Sequence, residues 1–366
     1  MRDACNGRAC CPPLLLLVAL GVSAAQPHVS PPAVPPPLRF GYLRESSPQT
    51  RYEVSFSADT NVRPLLRKAS SLASGGDSFY YHSSQVYRLE HSVGRWCVGY
   101  AYGQAELFRG NRGAAQLFLE AEQGQLRDEE TAPVWASMNR SAVHRWSLAF
   151  QDSAAMGEAQ AWYRLTAHYL ALQRVQVGTL SGRRVGNQFD GVLNLTTTRG
   201  LSPQEVRGRG ATVDVEAAME WRRWTLGVRI ENLWSRLEAQ QAQLITARVR
   251  VNQLTPDADG FLRAPPLLEG RTDWVQVKGI AARTAQVCVS YTTGGYQAAL
   301  LIRYDFEWVQ GIGFGKGAFW GVFWFHRPAW QVGYSSDRWQ ATLSMDGWGL
   351  PRSRRVSASL GYAVVW

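Results

Sequence analysis

Charged side chains recur at every second position of several segments, opposite apolar or aromatic residues. Acidic and basic groups gathered on one face can bind or select a charged solute, or they can brace neighbouring strands through ion pairs. Bracing of neighbouring strands is the more frequent role of such groups, and selection of a solute is the more specific alternative. We interpret the set as lining a polar interior: Asp214, Glu216, Arg229, Glu231, Arg248, Arg250, Arg303, Asp305 and Glu307, together with His168.

No sequence pattern indicates catalysis or metal binding. The chain has neither a Gly-x-Ser-x-Gly elbow nor a His-Glu-x-x-His motif, and its six histidines show no metal-ligand spacing. We therefore predict a protein that is not an enzyme and that holds no cofactor and no metal. A lipid hydrolase using Ser and His at a barrel rim stays as an alternative, with His144 and Ser147 or His91 and Ser92 as the pairs that fit it.

The elements that carry the charged residues have the period of β-strands. In residues 211–221, Val213 and Val215 alternate with Asp214 and Glu216, and residues 224–231 repeat the pattern after Arg222-Arg223. Strict alternation of this kind predicts half-buried strands, and a two-residue connection predicts a hairpin. A composition with 11% aromatic and 19% charged residues also favours an all-β fold.

Alternation fits both a soluble β-sandwich and a transmembrane barrel. The sandwich has its apolar face inside and its polar face outside, and the barrel has the reverse. Tryptophans near strand ends, such as Trp221, Trp224 and Trp339, are typical of membrane interfaces. Arginine with Asp or Glu on the polar faces suits a hydrated lumen. We therefore predict a transmembrane antiparallel β-barrel. At about 22 to 26 residues per strand and connection, it has about 14 strands, with 12 as the alternative.

The chain is predicted to consist of three parts. Residues 1–25 have the basic start, apolar run and small-residue cleavage site of a signal peptide ending near Ala25. Residues 26–48 form a Pro-rich linker, and residues 49–366 form the barrel. Residues 186–209 and 255–272 are predicted to be long extracellular loops. Cys97 and Cys288 remain after cleavage. We expect them to be small apolar residues on strands, and the alternative is a disulfide between them.

The formal charge of +10 does not indicate a nucleic-acid partner. A nucleic-acid interface concentrates its basic residues in a stripe with interleaved aromatics, and no such stripe is present.

The last residues carry a first resemblance. Ser359, Gly361, Val364 and the terminal Trp366 occupy the constrained positions of a pattern that resembles the C-terminal sorting signal of bacterial outer-membrane barrels. The resemblance implies a place in the bacterial outer membrane in contact with its lipid, and insertion by the barrel-assembly machinery from the periplasm.

A second resemblance covers residues 161–232. Gly208-Arg-Gly210, a strand containing Asp214, and Gly227 leading to Asn232-Leu233 resemble the family of fatty-acid-transporter-like, PorV-like and TraF-like outer-membrane barrels. The chain departs from that family at Val215-Glu216, where a glycine is common.

The resemblance implies a transporter-like or channel-like barrel, or an accessory barrel of an envelope or secretion system, with a small solute or an envelope partner that the sequence does not name. The alternatives are an outer-membrane lipid-modifying enzyme and a soluble secreted β-sandwich that binds a partner.

Overall fold

The computed structural model describes most of the chain from Gln49 onward. The predicted signal peptide, the Pro-rich linker and Trp366 lie outside the described residues. Within the described part, no helix is long and apolar enough to cross a membrane. The described residues are 49–60, 78–116, 131–186, 188–198, 208–251, 255–256, 262–263, 267–279, 281, 283–305, 307–325, 329–336, 338–346 and 355–365.

Nearly all described residues belong to β-strands. The strands are β1 (Gln49–Thr60), β2 (Ser78–Val93), β3 (Trp96–Asn111), β4 (Thr131–Met156), β5 (Ala159–Val185), β6 (Gln188–Thr197), β7 (Gly208–Trp221), β8 (Trp224–Val251), β9 (Thr255–Pro256), β10 (Leu262–Arg263), β11 (Leu267–Gly279), β12 (Thr284–Thr293), β13 (Tyr296–Asp305), β14 (Glu307–Lys316), β15 (Phe319–Trp324), β16 (Ala329–Ser335), β17 (Trp339–Met345) and β18 (Arg355–Val365). Residues 112–116, which follow β3, are helical.

The sheet closes on itself. Strands β1 to β5 and β12 to β18 pair with their neighbours in chain order, all antiparallel, and β18 pairs with β1 so that Gln49 lies opposite Val365. Closure pairs the backbone groups of the first and last strands with each other, which leaves no open edge at that junction. The predicted all-β antiparallel barrel is confirmed.

The sheet contains sixteen strand segments, more than the fourteen predicted. The difference arises because two positions of the ring are each filled by two segments. Along β5, Gln176 lies opposite Thr197 of β6, and four residues earlier Leu172 lies opposite Gly208 of β7. Strands β11 and β12 likewise share one side of β8. The ring therefore has fourteen positions.

The predicted loops at 186–209 and 255–272 are wrong in part. The first contains β6, and the second contains β9, β10 and the start of β11. In β6 the buried Phe189 alternates with Gln188 and Asp190, a short pattern that the polar Asn and Thr residues following it obscured.

The two ends of the barrel differ in their connections. Tight turns at 94–95, 157–158, 222–223, 294–295 and 317–318 lie at one end, the turn end, where β1 also begins and β18 finishes. The hairpin predicted at Arg222-Arg223 is confirmed, with Trp221 opposite Trp224. The other end, the loop end, carries the long connections of residues 61–77, 112–130 and 346–354, together with two short ones, between β5 and β6 and between β13 and β14. The wall is tall where β4, β5 and β8 run for 26 to 28 residues and low at β15 to β17.

The apolar residues of the alternating pattern face outward. Along β1, Tyr52, Val54 and Phe56 are 43–51% exposed, whereas Glu53 between them is less exposed and faces the lumen. A soluble sandwich would bury this apolar face between two sheets. The single closed ring with its apolar face outward therefore contradicts the β-sandwich alternative.

Part of the lumen is also apolar. Strands β12 to β16 turn a buried cluster inward, in which Leu301, Val322 and the rings of Trp320 and Trp324 pack together beside Cys288. Cys288 and Cys97 are both buried and free, as expected of small residues on strands. We call this group of side chains the apolar lumen cluster.

The packing of Trp320 yields a stability prediction. A Cβ added at Gly333 would overlap the Trp320 ring, whereas one added at Gly321 would lie 3.6 Å from the Gln331 carbonyl oxygen. Gly333→Ala is expected to lower the free energy of unfolding in micelles by about 1–3 kcal/mol, because overpacking displaces the ring. The matched Gly321→Ala variant is expected to change it little. Equal stability of the two variants would contradict the packing described.

Candidate functional site

Charged side chains from six strands meet inside the barrel. Together with Ser147, Thr166 and Gln340 of β17, most of them surround a cavity of about 60 Å³. Because β17 and β7 lie far apart around the ring, a cavity that touches both is in the lumen. The lumen charge network, as we name it, comprises Arg51, Glu53, Arg88, Glu90, Arg145, Arg164, His168, Asp214, Glu216, Arg229 and Glu231.

Arg229 joins two carboxylates in the middle of this network. Its Nε lies 3.0 Å from Glu216 Oε1, and its Nη2 lies 2.6 Å from Glu231 Oε1. The strand register causes this, because Glu216 of β7 lies opposite Arg229 of β8, and Glu231 follows two residues later on the same face. All three side chains are at most 12% exposed. Removal of one partner from such a buried set leaves an uncompensated charge.

Two further ion pairs continue the network across β1, β2 and β5. Arg88 lies 3.6 Å from Glu53, and Arg164 lies 3.5 Å from Glu90. The second pair joins strands that are not neighbours, so it bridges part of the lumen. Arg145 lines the same cavity. Five arginines therefore face five carboxylates, which makes the network close to neutral.

Asp214 links β5 with β8 inside the segment that carries the second sequence resemblance. Its Oδ2 accepts a hydrogen bond from His168 Nε2 at 2.8 Å, and its Oδ1 accepts one from the Asn232 backbone N–H at 2.7 Å. Asn232 has a φ of 53° in an irregular stretch of β8, where the register with β7 shifts between Val213 and Val215. Asparagine tolerates this left-handed conformation better than most residues. The Asp and Asn of the motif are therefore direct partners.

The other predicted lumen residues lie outside this cluster. Arg248 makes a two-pronged contact of 3.1 and 2.8 Å with Asp190 near the loop end, and Arg250 lies opposite Asp190 in the register. Arg303 shares a face with Arg229, because Gln286 lies opposite both. The side chains of Asp305 and Glu307 lie outside the described residues. That these groups select a solute stays a prediction.

The predicted sorting-signal residues belong to the last strand. Ser359 is buried and shares a 2.7 Å hydrogen bond with Thr342, and Val364 lies opposite Thr50. Gly361 lies between Glu53 and Gln340. Recognition of these residues during biogenesis stays a prediction.

Neither Ser–His pair of the hydrolase alternative forms. His144 is on the outer face, where its ring contacts Tyr102 and its Nδ1 lies 2.7 Å from Tyr100 Oη, whereas Ser147 lines the lumen. His91 and Ser92 are consecutive on β2 and point to opposite faces. Among the described residues, no three His, Cys, Asp or Glu side chains are grouped so that they could hold a metal ion.

Sequence reasoning did not nominate most of the network's cationic residues. Arg51, Arg145 and Arg164 lie on the polar faces of alternating segments, so the alternation itself contained the signal. Arg88 and Glu90 share that face on β2, where Tyr87 and Leu89 point outward. The missing information was which strands face each other across the lumen.

Comparison with known proteins gives structural similarity at low sequence identity. No family model and no curated protein matches the chain. A deletion mutant of the monoaromatic hydrocarbon channel TodX is 9% identical at a TM-score of 0.46, with 88% of this chain and 91% of that chain covered. The toluene transporter TodX of P. putida is 7% identical at a TM-score of 0.44, with the same coverage. The toluene transporter TbuX of Ralstonia pickettii is 7% identical at a TM-score of 0.24, over 88% of this chain and 90% of that chain.

The ion pairs of Arg229 give a second stability prediction. Arg229→Gln leaves Glu216 and Glu231 facing each other in a confined lumen, so the free energy of unfolding in micelles is expected to fall by about 3–5 kcal/mol. The control is Arg222→Gln, because Arg222 and its partner Glu158 are both 65% exposed. This control should cost less than about 1 kcal/mol. A loss at Arg229 no larger than that of the control would show that the network does not brace the wall.

Proposed function

We propose that this protein is an outer-membrane β-barrel of the channel or transporter type, which passes a small solute that has an apolar part. The observation that carries the proposal is a closed antiparallel ring whose outer face is apolar and whose inner face carries the lumen charge network. In hydrocarbon only such a closed ring, or a helix, satisfies every backbone hydrogen-bonding group.

The two ends supply an orientation. Barrels of bacterial outer membranes have short periplasmic turns and long extracellular loops, so the turn end is assigned to the periplasm. Outward aromatic pairs lie at this end, with ring centroids 4.9 Å apart for Trp224 and Tyr291 and 4.6 Å apart for Trp339 and Tyr362. Tyr304 and Trp308 form such a pair at the loop end of β13 and β14. Aromatic rings favour the two interfaces of a membrane.

The lumen supports a solute with both apolar and polar character. The charge network occupies the side formed by β1 to β8, and the apolar lumen cluster occupies the side formed by β12 to β16. A pore for water and ions alone is lined by polar side chains, whereas this inner wall carries two tryptophans, Trp320 and Trp324. A solute with an apolar part can displace contacts among these rings while the charged groups stay paired.

Biogenesis follows from the same proposal. The C-terminal pattern at Ser359, Gly361 and Val364, with Trp366, supports insertion by the barrel-assembly machinery after removal of residues 1–25. The lipid of the outer membrane is then a permanent partner of the outward apolar face.

The location is tested by fractionation and gel migration. The protein is expected in the outer-membrane fraction, and unboiled samples are expected to migrate differently from boiled ones, because a closed barrel resists unfolding in detergent. Recovery in the soluble fraction without such a shift would contradict the proposal.

The channel activity is tested at Arg145, which lines the narrow cavity of the lumen. In planar bilayers, Arg145→Ser is expected to increase the conductance and to shift ion preference towards cations, because a bulky cation leaves the narrow part of the path. Arg248→Ser is the matched control, since Arg248 is 51% exposed and paired with Asp190 near the loop end. An unchanged conductance and preference in Arg145→Ser would exclude a conducting path past this residue.

A further inference from the structure

We infer that the outer wall over β2 to β5 binds the phosphorylated sugar headgroup of a glycolipid of the outer leaflet, of the lipid A type. This inference rests on the proposed function, because it needs the outward face to be in contact with an outer membrane. It concerns the outside of the barrel and does not depend on transport.

A cavity of about 430 Å³ lies on this wall, partly open to the surroundings. Its position follows from the strand register. Phe56, an exposed outward residue of β1, lies opposite Gln85, which lies opposite Gln104. Gln104 lies opposite Ala142, and Ala142 opposite Arg174. Residues paired across an antiparallel sheet share a face, so this whole row points outward.

The next row towards the loop end adds the second arginine. Ser83 lies opposite Glu106, and Glu106 lies opposite Arg140. Both rows contribute outward polar side chains to the cavity lining, and Tyr102 and Gln173 add two more. The set is Ser83, Gln85, Tyr102, Gln104, Glu106, Arg140, Gln173 and Arg174.

The local structure explains why a cavity forms here. The register of β4 and β5 shifts at Ala142 and Val143, so Gln173 is an additional residue in β5. Its side chain accepts a hydrogen bond from Tyr102 Oη at 3.3 Å, and Tyr102 Oη in turn accepts one from Gln104 Nε2. A bulge bends the strand that contains it and re-aims side chains. These contacts fix several of the amides and hydroxyls that surround the cavity.

The chemistry of the lining indicates a phosphorylated sugar. A guanidinium group can bind phosphate oxygens through two parallel hydrogen bonds, and the cavity has two such groups, those of Arg140 and Arg174. The Ser83 hydroxyl and the glutamine amides match sugar hydroxyls and amides, and Glu106 can accept a hydrogen bond from a hydroxyl. Among the described residues, Arg140 takes part in no ion pair. A simple phosphate ester would use the arginines and leave the neutral polar groups unused.

The wall below the cavity suits acyl chains. Towards the turn end, the next outward rows contain aromatic rings in mutual contact, with Tyr100, Trp146 and Tyr169 joined by centroid distances of 5.6 and 5.8 Å. The row closest to the cavity contains Tyr102 and His144, whose ring centroids lie 4.9 Å apart. A lipid whose headgroup occupies the cavity would lay its chains over this surface. The order of arginines, amphipathic rings and apolar wall matches the order of phosphate, sugar and acyl chain.

Two more arginines lie on the outer face further around the ring, in rows that are closer to the turn end than those of Arg140 and Arg174. Arg209 of β7 lies opposite Ala171, in the row of His144, and Arg236 of β8 lies opposite Ala211, in the row of Trp146. Both are exposed. A second phosphate of the same headgroup, or a neighbouring lipid, has cations available there.

The test uses the full mature barrel, folded in micelles and recognised by its gel shift. Binding of bis-phosphorylated lipid A is measured by native mass spectrometry, beside dephosphorylated lipid A, phosphatidylglycerol and inorganic phosphate. Arg140→Gln with Arg174→Gln is expected to weaken lipid A binding about tenfold or more, because hydrogen bonds between charged groups are lost. The matched control, Arg223→Gln with Arg338→Gln at the turn end, is expected to change it less than about twofold.

The outcomes separate this inference from the proposed function. A barrel that shows the gel shift but binds lipid A equally well with and without the two arginines overturns the inference alone. Equal binding of phosphatidylglycerol or of dephosphorylated lipid A overturns it as well, and so does competition by inorganic phosphate at the concentration of the lipid. Absence of the gel shift contradicts the proposed function instead. If the double variant does not fold, Arg140→Gln alone, at an exposed residue, is measured against the same lipids and is expected to reduce binding.

Discussion

A strand that faces lipid must have both of its edges paired, because hydrocarbon offers no partner for a backbone N–H or C=O group. The rest of this structure depends on that constraint. It requires β18 to return to β1, and it requires β7 and β12 to pair with the turn-end part of β8 on its two sides. Closure then divides every strand into an outer and an inner face, so the alternation of the sequence becomes a lipid surface and a lumen.

Charges on the inner face create a second requirement. The side chains of the lumen charge network are largely buried, and a buried carboxylate or guanidinium is stable only with a partner of opposite sign. Two sets of ion pairs meet this requirement. Glu53 of β1 pairs with Arg88 of β2, and Arg229 of β8 lies between Glu216 of β7 and Glu231. These ion pairs link β1 with β2 and β7 with β8 around the cavity. The apolar lumen cluster on the other side needs no such pairing, because its side chains are buried against one another.

The sequence was sufficient for the fold class, less so for the strand bounds, and only partly for the site. Alternation in residues 211–231 predicted β7, the first part of β8 and their hairpin, because a half-buried strand imposes a period of two on its own residues. Three arginines that line the cavity, Arg88, Arg145 and Arg164, were not predicted as site residues. Their neighbours in space are set by the closure of the ring, which the sequence does not show. The break between β6 and β7 could not be predicted from the sequence either. Both segments pair with β5 on one side and with β8 on the other, and these two strands hold them in line. Trp320 and Trp324 face inward, against the usual outward place of Trp in a barrel, and only the register reveals it.

The central claim is that alternate residues of one strand face lipid and lumen. Its most direct test is spin-label accessibility along β5, with single cysteines placed from 163 to 169 in a chain lacking its native thiols and reconstituted in bilayers. Positions 163, 165, 167 and 169 are expected to collide with dissolved oxygen, and positions 164, 166 and 168 are expected to be shielded from it. Equal oxygen accessibility at all seven positions, or a maximum at the even ones, would contradict the account.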